Sequence, residues 1–443
     1  MIDTSQKLLE YGKAAGAEEV EVYCVKSTVH EIRTSRMKLE AIKQATTSGV
    51  AVRVICGKKL GLAHSSDLSD SALRLTSARA VELARGATAD EYQDFALQAR
   101  TYPKLSLLDE RLARTSLEEK TETILSVEKA AFAYDKRIIG SDYVSYDDEQ
   151  KEVLIMNSKG LRVGYVESSV SIGGAFVAEE DGSKQMGWDW QIERSFEKLN
   201  PSRVGARAAE RAVLTLKGKP VKSGTYPVVL QPLVGMKLIS GIAQAVDGES
   251  VRLGRSFLAD RKGEEVASSL VTIVDDGTRA DWVGSSPADD EGSPTAVKEI
   301  VKDGVLMGFL YDLYTARRVG VKTTGNGRRP SYKVGPAIAP TNFFLHPGRS
   351  TEAEMIKEIP EGLLVMGSLG FSGNPITGDF SIGVSGRWIH GGTLAQPVCG
   401  VTIASNMSEM LKAVDAIGDD LVAVEGGIGI PTIRLKSITV AGL

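Results

Sequence analysis

The fold prediction starts from two short segments, EEVEVYCVK at residues 18–26 and GVAVRVICG at residues 49–57. In both segments apolar residues recur at every second position, a period that is typical of β-strands. In the first segment, one face would carry Val20, Val22 and Cys24, and the opposite face Glu19, Glu21 and Tyr23. In the second, one face would carry Val50, Val52, Val54 and Cys56. The two segments therefore predict strands with an apolar face.

Helices are predicted on both sides of these strands. Asp3 or Thr4 can cap a first helix that ends at Gly16. Residues 60–64 would return beside the second strand as a hairpin partner, and residues 67–85 carry apolar side chains at helical spacings. Beyond residue 86 the periodicity is lost. We therefore predict an N-terminal α/β domain at residues 1–105.

A middle α+β domain is predicted at residues 106–224. Its first helix would begin after Ser116, with Glu119 three residues on in the pattern of a capping box. Strands are expected between about residues 138 and 186, and a further helix begins at Pro201. Three turns are expected among these strands, at Asp147-Asp148, Lys159-Gly160 and Asp181-Gly182. The polar segment KGKPVKSG, residues 217–224, has the composition of a linker.

The remainder, residues 225–443, is predicted to be a glycine-rich β domain with few helices. The chain has 46 glycines, an excess that suits tight turns and bulges between strands. One helix is expected at MKLISGIAQAV, residues 236–246. Late strands are expected at residues 361–369, 377–390, 397–404 and 431–440. The whole sequence therefore predicts an α+β fold whose C-terminal domain consists of large, mainly antiparallel sheets.

Composition excludes several classes of protein. The chain has 53 Lys+Arg against 57 Asp+Glu, a net charge of -4, which argues against a nucleic-acid-binding surface. No segment approaches the ~18 uncharged apolar residues of a membrane span, and the N-terminus lacks a signal-peptide pattern. The three distant cysteines indicate neither a disulfide framework nor a zinc knuckle. We predict a cytoplasmic protein without membrane contact.

Taken alone, the residues define no reaction. The four histidines are isolated, so no H-E-x-x-H pair is present, and no G-x-S-x-G elbow occurs. Three acidic clusters stand out, Asp275-Asp276, Asp289-Asp290-Glu291 and Asp419-Asp420. We interpret them first as turn residues, with ligand binding as the alternative. Arg328 and Arg329 are either solvated turn residues or contacts for an anion or peptide carboxylate.

The C-terminal half carries long segments with a recognisable order. They are residues 254–278, residues 289–332, PTNFFLHPG at 340–348, GNPITGDFSIGVSGRWIHGG at 373–392 and the ending IPTIRLKSITVAGL at 430–443. Together they resemble the TldD/PmbA family, known as modulators of DNA gyrase and for metal-dependent proteolysis by a TldD–TldE pair. Within these segments we predict the ligand-binding residues to be Asp289, Asp290, Asn326, Arg328, Arg329 and Asp379.

The resemblance also implies where a metal site would lie. TldD-type members carry H-E-x-x-x-H on a helix, and a third ligand is a cysteine near the C-terminus. Counting back without gaps from Val266-Ala267 places that motif on ISGIAQ, residues 239–244. Ile239 and Gln244 then stand at the positions of the two histidines, and Ser240 stands at that of the glutamate. The segment AVEGGIGIP, residues 423–431, has no cysteine. The resemblance is therefore to the PmbA/TldE branch, with no metal of its own.

These features favour one function and leave two others open. The leading hypothesis is a non-catalytic subunit of a TldD-type metallopeptidase complex, with zinc in the TldD-type partner and unfolded peptide as substrate. The first alternative is a metal-free homodimer that binds peptide. It stays open because DDEGSPT (289–295) and TGNGRRPSY (324–332) resemble TldD-type sequences more closely than PmbA-type sequences. The second alternative is a regulator of DNA gyrase, against which the acidic charge balance argues.

Overall fold

The computed structural model describes residues 1–423 and 427–443, apart from the side chains of residues 371 and 372. The first half of the chain contains four α-helices and a run of long strands. In order they are α1 (Ile2–Ala14), β1 (Glu19–Ser35), β2 (Lys38–Cys56), β3 (Lys59–Ser65), α2 (Asp70–Gly86), α3 (Leu117–Tyr134), β4 (Ile138–Asn157), β5 (Arg162–Glu180), β6 (Ser183–Glu193) and α4 (Pro201–Leu214).

The second half alternates short helices with strands. Its elements before residue 352 are β7 (Gly224–Leu230), α5 (Pro232–Ala245), α6 (Gly248–Arg252), β8 (Ile273–Asp276), β9 (Val297–Lys302), β10 (Val305–Leu306), α7 (Leu313–Val319), β11 (Gly327–Arg328), β12 (Ala337–Ile338) and β13 (Phe343–Leu345). The later elements are α8 (Glu352–Lys357), β14 (Glu361–Gly373), β15 (Asp379–His390), β16 (Thr393–Asn406), α9 (Met407–Lys412), β17 (Val414–Ile417), β18 (Val422–Ala423), β19 (Ile428–Ile430) and β20 (Ile433–Ala441).

One antiparallel sheet spans the first two predicted domains. Its strand order is β3-β2-β1-β4-β5-β6, so strands from both sides of residue 105 pair directly through β1 and β4. Helices α1 to α4 cover one face, where the even-numbered residues of β1 and β4 enter two apolar clusters. The predicted division of the chain at residues 105 and 224 stays a prediction.

The C-terminal half forms two further large sheets. One has the order β10-β9-β8-β13-β19-β18, and the other β16-β15-β14-β7-β20-β17. Strand β16 also pairs with β20, which closes five strands of the second sheet into a barrel. Helix α5 contributes to the apolar core shared by these sheets. The predicted α+β class with large, mainly antiparallel sheets is confirmed.

One prediction for the first sheet is wrong. Asp147 and Asp148 form no turn, because β4 continues through both of them. Asp148 is tolerated in a buried strand because it accepts hydrogen bonds from Tyr146 Oη at 2.9 Å and pairs with Lys120 Nζ at 2.7 Å. The face of β1 that carries Glu21 and Tyr23 is buried as well, since both residues lie under the C-terminal half of the chain.

Within the described residues, no helix combines the length and apolarity needed to cross a membrane.

Candidate functional site

The candidate site is a cleft along one face of α5. Pro232 occupies the first turn of this helix, where a missing backbone N–H has no consequence. Ser240, Ala243, Gln244 and Asp247 recur at helical spacing and line a cleft of about 480 Å³. Three of the four can offer polar atoms. The predicted motif positions Ser240 and Gln244 therefore face the same space.

The opposite wall of this cleft is mainly apolar. It is formed by Leu310, Ile338, Pro340, Pro375 and Ile428, together with Ala339. Ile338 belongs to β12, a two-residue strand that pairs with β11 alone among the described strands. A concave apolar surface with a few convergent polar groups is typical of a ligand-binding site.

Ile239 does not reach the cleft. Its side chain is completely buried in the core of the C-terminal half, on the other side of α5 from Gln244, which is exposed. The separation follows from helix geometry, because five residues correspond to about 140° of rotation around the axis. The first and last positions of the predicted motif therefore point in different directions.

Asp247, which lies between α5 and α6, is the only carboxylate among the described residues that line the cleft. Its Oδ1 accepts the backbone N–H of Ser250 at 2.6 Å and thereby caps α6. A capping carboxylate is held by the helix terminus it stabilises. The cleft thus presents hydroxyl and amide groups and one carboxylate that is already in use.

The predicted acidic cluster at residues 289–291 is buried rather than exposed in a turn. Asp289 accepts backbone N–H groups from Glu291, Ser293 and Gly327, at 3.1, 2.8 and 2.9 Å. Glu291 Oε2 accepts the N–H of Leu313 at 2.7 Å. The cluster therefore fastens β11 and α7 to one loop. The turn interpretation is incomplete, because it accounts for hydrogen bonds within the loop but not for the bond to Gly327.

The buried carboxyls of this loop resist ionisation. Burial raises the pKa of Glu291, and the neighbouring Asp289 raises it further. Burial also raises the pKa of Asp289, against three backbone N–H groups that favour its ionised form. Because Glu291 has one such donor, we assign the retained proton of the pair to Glu291.

The predicted arginines belong to the interior. Arg329 has a fully buried side chain whose Nη2 donates to Glu21 Oε1 at 2.8 Å, and its backbone N–H donates to Asp290 Oδ2 at 2.7 Å. Arg328 Nη2 donates to Gly284 O at 3.0 Å. The solvated-turn interpretation of Arg329 is therefore wrong. Its partner Glu21 was not predicted, since a separation of 308 residues leaves no local signal.

Asn326 and Asp379 occupy different places. Asn326 Nδ2 donates to Asp275 Oδ2 and to Ala339 O, both at 2.9 Å, and so supports the cleft wall at Ala339. Asp379 is exposed at the start of β15 and accepts Thr377 Oγ1 at 2.6 Å. The structure therefore brings Asp289, Asp290, Asn326, Arg328 and Arg329 into one region and leaves Asp379 apart. Of the segment 423–431, residues 424–426 lie outside the described residues.

Family models match most of the chain. Residues 20–84 match domain 1 of the PmbA/TldA metallopeptidases, residues 110–216 match the central domain, and residues 223–442 match the C-terminal domain. The metalloprotease PmbA of Escherichia coli O157:H7 is 29% identical over 98% of this chain and 94% of its own length. A metalloprotease TldD homolog of Buchnera aphidicola is 28% identical over 89% of this chain and 86% of its own length.

Solved structures share the fold over its full length. The crystal structure of TldE from Thermococcus kodakarensis aligns with a TM-score of 0.93 at 23% identity, covering 99% of this chain and 100% of that chain. A crystal structure described as a putative modulator of DNA gyrase, from Thermotoga maritima, gives a TM-score of 0.91 at 26% identity, with 99% and 100% coverage. The arrangement of helices and sheets is therefore common to these proteins.

Proposed function

Because the chain belongs to the PmbA/TldD family of metallopeptidases, we propose that it is a PmbA/TldE-like subunit that does not cut peptides itself. In this proposal it acts with a TldD-type subunit that carries the zinc and the general base. The family membership supports a role in peptide processing. The division of labour between two subunits rests on the residues of α5.

The proposal rests on which side-chain groups at the motif positions could bind a metal ion. Zinc in proteins is held by thiolate, imidazole or carboxylate groups. Ile239 has no donor atom and lies in the core, Ser240 has a hydroxyl, and Gln244 has an amide. Among residues 1–423 and 427–443, no three His, Cys, Asp or Glu side chains are grouped to hold a metal ion. These residues do not fit a catalytic zinc.

The chain's own contribution would be to bind and align peptide. The cleft beside α5 joins apolar walls to the Ser240 hydroxyl and the Gln244 amide, a combination that can hold a peptide without polarising its carbonyl carbon. The same cleft would serve the second candidate function, a metal-free homodimer that binds peptide. The two candidates differ in whether a TldD-type subunit is needed for cleavage.

A reconstitution experiment separates these candidates. The full chain, a TldD-type subunit from the same organism and their mixture would each be incubated with unfolded β-casein, and zinc would be measured by elemental analysis. We expect no cleavage and no stoichiometric zinc for the chain alone, and faster cleavage by the mixture than by the TldD-type subunit. Light scattering should show a complex that contains this 47.4 kDa chain.

A variant of the TldD-type subunit serves as the control that shows which subunit cleaves the peptide. Replacing the motif glutamate of the TldD-type subunit by glutamine should abolish cleavage by the mixture while the complex still forms. Chelator-sensitive cleavage by this chain alone, with about one zinc bound, would refute the proposal. A homodimer that binds casein but neither joins nor accelerates the TldD-type subunit would also refute it and support the second candidate.

A further inference from the structure

A second cleft lies between the middle and C-terminal parts of the chain, away from α5. Its volume is about 520 Å³, within the range of ligand-binding clefts, and it shares no described lining residue with the cleft beside α5. One wall is formed by β6 and α4, and the other by β18 and the loop around Trp282.

Both walls include the edge of a sheet. Among the described strands, β6 ends the N-terminal sheet, and β18 ends the sheet with the order β10-β9-β8-β13-β19-β18. Four consecutive residues of each wall, 190–193 and 420–423, line the cleft, as expected when a strand meets the space edge-on. An edge strand presents backbone N–H and C=O groups that can pair with a further strand.

The orientation of β6 indicates which backbone groups face outward. Trp188 O accepts Arg211 Nη1 at 2.9 Å, so this carbonyl points away from β5. Backbone orientation in a strand repeats every second residue, so Trp190 and Ile192 point the same way. Those two residues lie in the cleft wall. An incoming strand would find its hydrogen-bonding groups there.

Among the described residues that line this cleft, cations outnumber the carboxylates that could pair with them. Arg203 and Arg207 are four residues apart on α4, a like-charge spacing that opposes helix stability. Arg203 lies 3.6 Å from Asp189 Oδ2. For Arg207 and the nearby Lys198, no carboxylate oxygen lies within 4 Å in the part of the chain that the structure describes.

The carboxylates among the described lining residues already have partners. Asp420 accepts the N–H and the hydroxyl of Thr432, at 2.8 and 2.7 Å. Asp281 pairs with Arg279 at 3.4 Å. Glu193 accepts Gln191 Nε2 at 2.8 Å, and burial raises its pKa. The half-buried Arg207 guanidinium interacts with Glu352, and the Lys198 ammonium with Glu193, only over longer distances. Both cations can therefore still bind an added carboxylate.

We propose that this cleft binds an extended peptide, which adds a strand to the edge of β6 and places a carboxylate on Arg207 and Lys198. Backbone pairing would provide affinity without sequence preference, and the cations would select acidic segments. The carboxylate can come from a glutamate or aspartate side chain or from a C-terminus. The inference does not rest on the proposed function, because it concerns the isolated chain and a different cleft.

Direct binding tests this proposal. The probe is a fluorescein-labelled octapeptide of alternating threonine and glutamate with a blocked C-terminus, measured by anisotropy with the full chain at low salt. A glutamine version with a free C-terminus separates the two sources of carboxylate. We expect the glutamate peptide or the free-terminus peptide to bind, and Arg207→Gln to weaken that binding about tenfold.

Matched variants make the result specific. Arg79→Gln removes a positive charge from an exposed position of α2 and should leave binding unchanged. Ile192→Pro removes one outward N–H and should weaken binding, whereas Ile192→Val keeps that group and should not. Melting curves would verify that each variant folds. Absence of binding, equal binding of a lysine peptide, or no effect of Arg207→Gln in a folded chain would overturn the proposal.

Discussion

Ile239 and Gln244 show how one helix divides its residues between core and cleft. Replacing Ile239 by histidine would bury an imidazole among apolar side chains that offer no hydrogen-bond partner. We expect Ile239→His to lower the free energy of unfolding by about 2 kcal/mol or more. Gln244→His, at an exposed position of the same helix, should change it by less than about 0.5 kcal/mol. Urea unfolding of both variants, with and without added zinc, measures the free energy of unfolding. Equal stability of the two variants, or zinc-dependent stabilisation of Ile239→His, would contradict this assignment.

The same residues mark what sequence can predict at this scale. Helical period alone places Ile239 and Gln244 on different faces, and the structure agrees. The environment of Asp289 and Arg329 was not predictable, because their burial depends on strands far away in the sequence. Aspartates close to a glycine, as in residues 289–292, are typical of a turn, and only tertiary contacts show that these carboxyls are buried.

At the scale of elements, the periodic segments were predicted and some of their ends were not. The hairpin of β1 and β2 extends beyond both predicted strands and reverses at Arg36 and Met37, whose φ angles are 49° and 62°. Such a tight turn favours Asn-Gly, so Arg-Met gives no turn signal. Helix α5, predicted at residues 236–246, already begins at Pro232, directly after β7.

The loop at residues 289–292 joins elements through its carboxyls and should make stability depend on pH. Gly327 permits a close approach, since an added Cβ would lie 2.4 Å from Glu291 Oε2. The raised pKa of Glu291 means that the folded state holds a proton which the unfolded state releases at lower pH. Stability should therefore fall as the pH rises from the ordinary carboxyl range through the raised pKa.

Glu291→Gln keeps the acceptor for Leu313 N–H and removes the ionisation. Between pH 5 and pH 8.5, we expect this variant to lose less stability than the unaltered chain, by at least about 1.4 kcal/mol, the equivalent of one pKa unit. Urea midpoints at both pH values provide the comparison. Glu82→Gln, on the exposed side of α2, is the control and should follow the unaltered chain. Parallel pH profiles for Glu291→Gln and the unaltered chain would disprove the assignment.

At the scale of the whole molecule, a buried ionic contact connects the N-terminal and C-terminal halves of the chain. Glu21 on β1 pairs with Arg329 at 2.8 Å and with Arg53 at 3.0 Å, and all three side chains are buried. Helices cover one face of the first sheet, and the C-terminal half covers Tyr23, Ala51 and Ile155 on the other. This second covering explains why Glu21 and Tyr23, opposite the apolar face of β1, are buried as well.

The contact between Glu21 and Arg329 should couple the stability of the two halves. Removing one partner leaves a buried charge, which typically costs about 3–5 kcal/mol, and Arg329→Gln should fall near the lower end because Glu21 keeps Arg53. The double variant Glu21→Gln/Arg329→Gln should lose less free energy of unfolding than the two single variants lose together. The reason is that neither of these two residues is left as a buried charge without its partner. Thermal midpoints from calorimetry measure this cycle. The exposed pair Glu110 and Arg114, at 3.4 Å, is the matched control and should give a coupling near zero. Additive losses for Glu21 and Arg329 would mean that the two halves gain no stability from this contact.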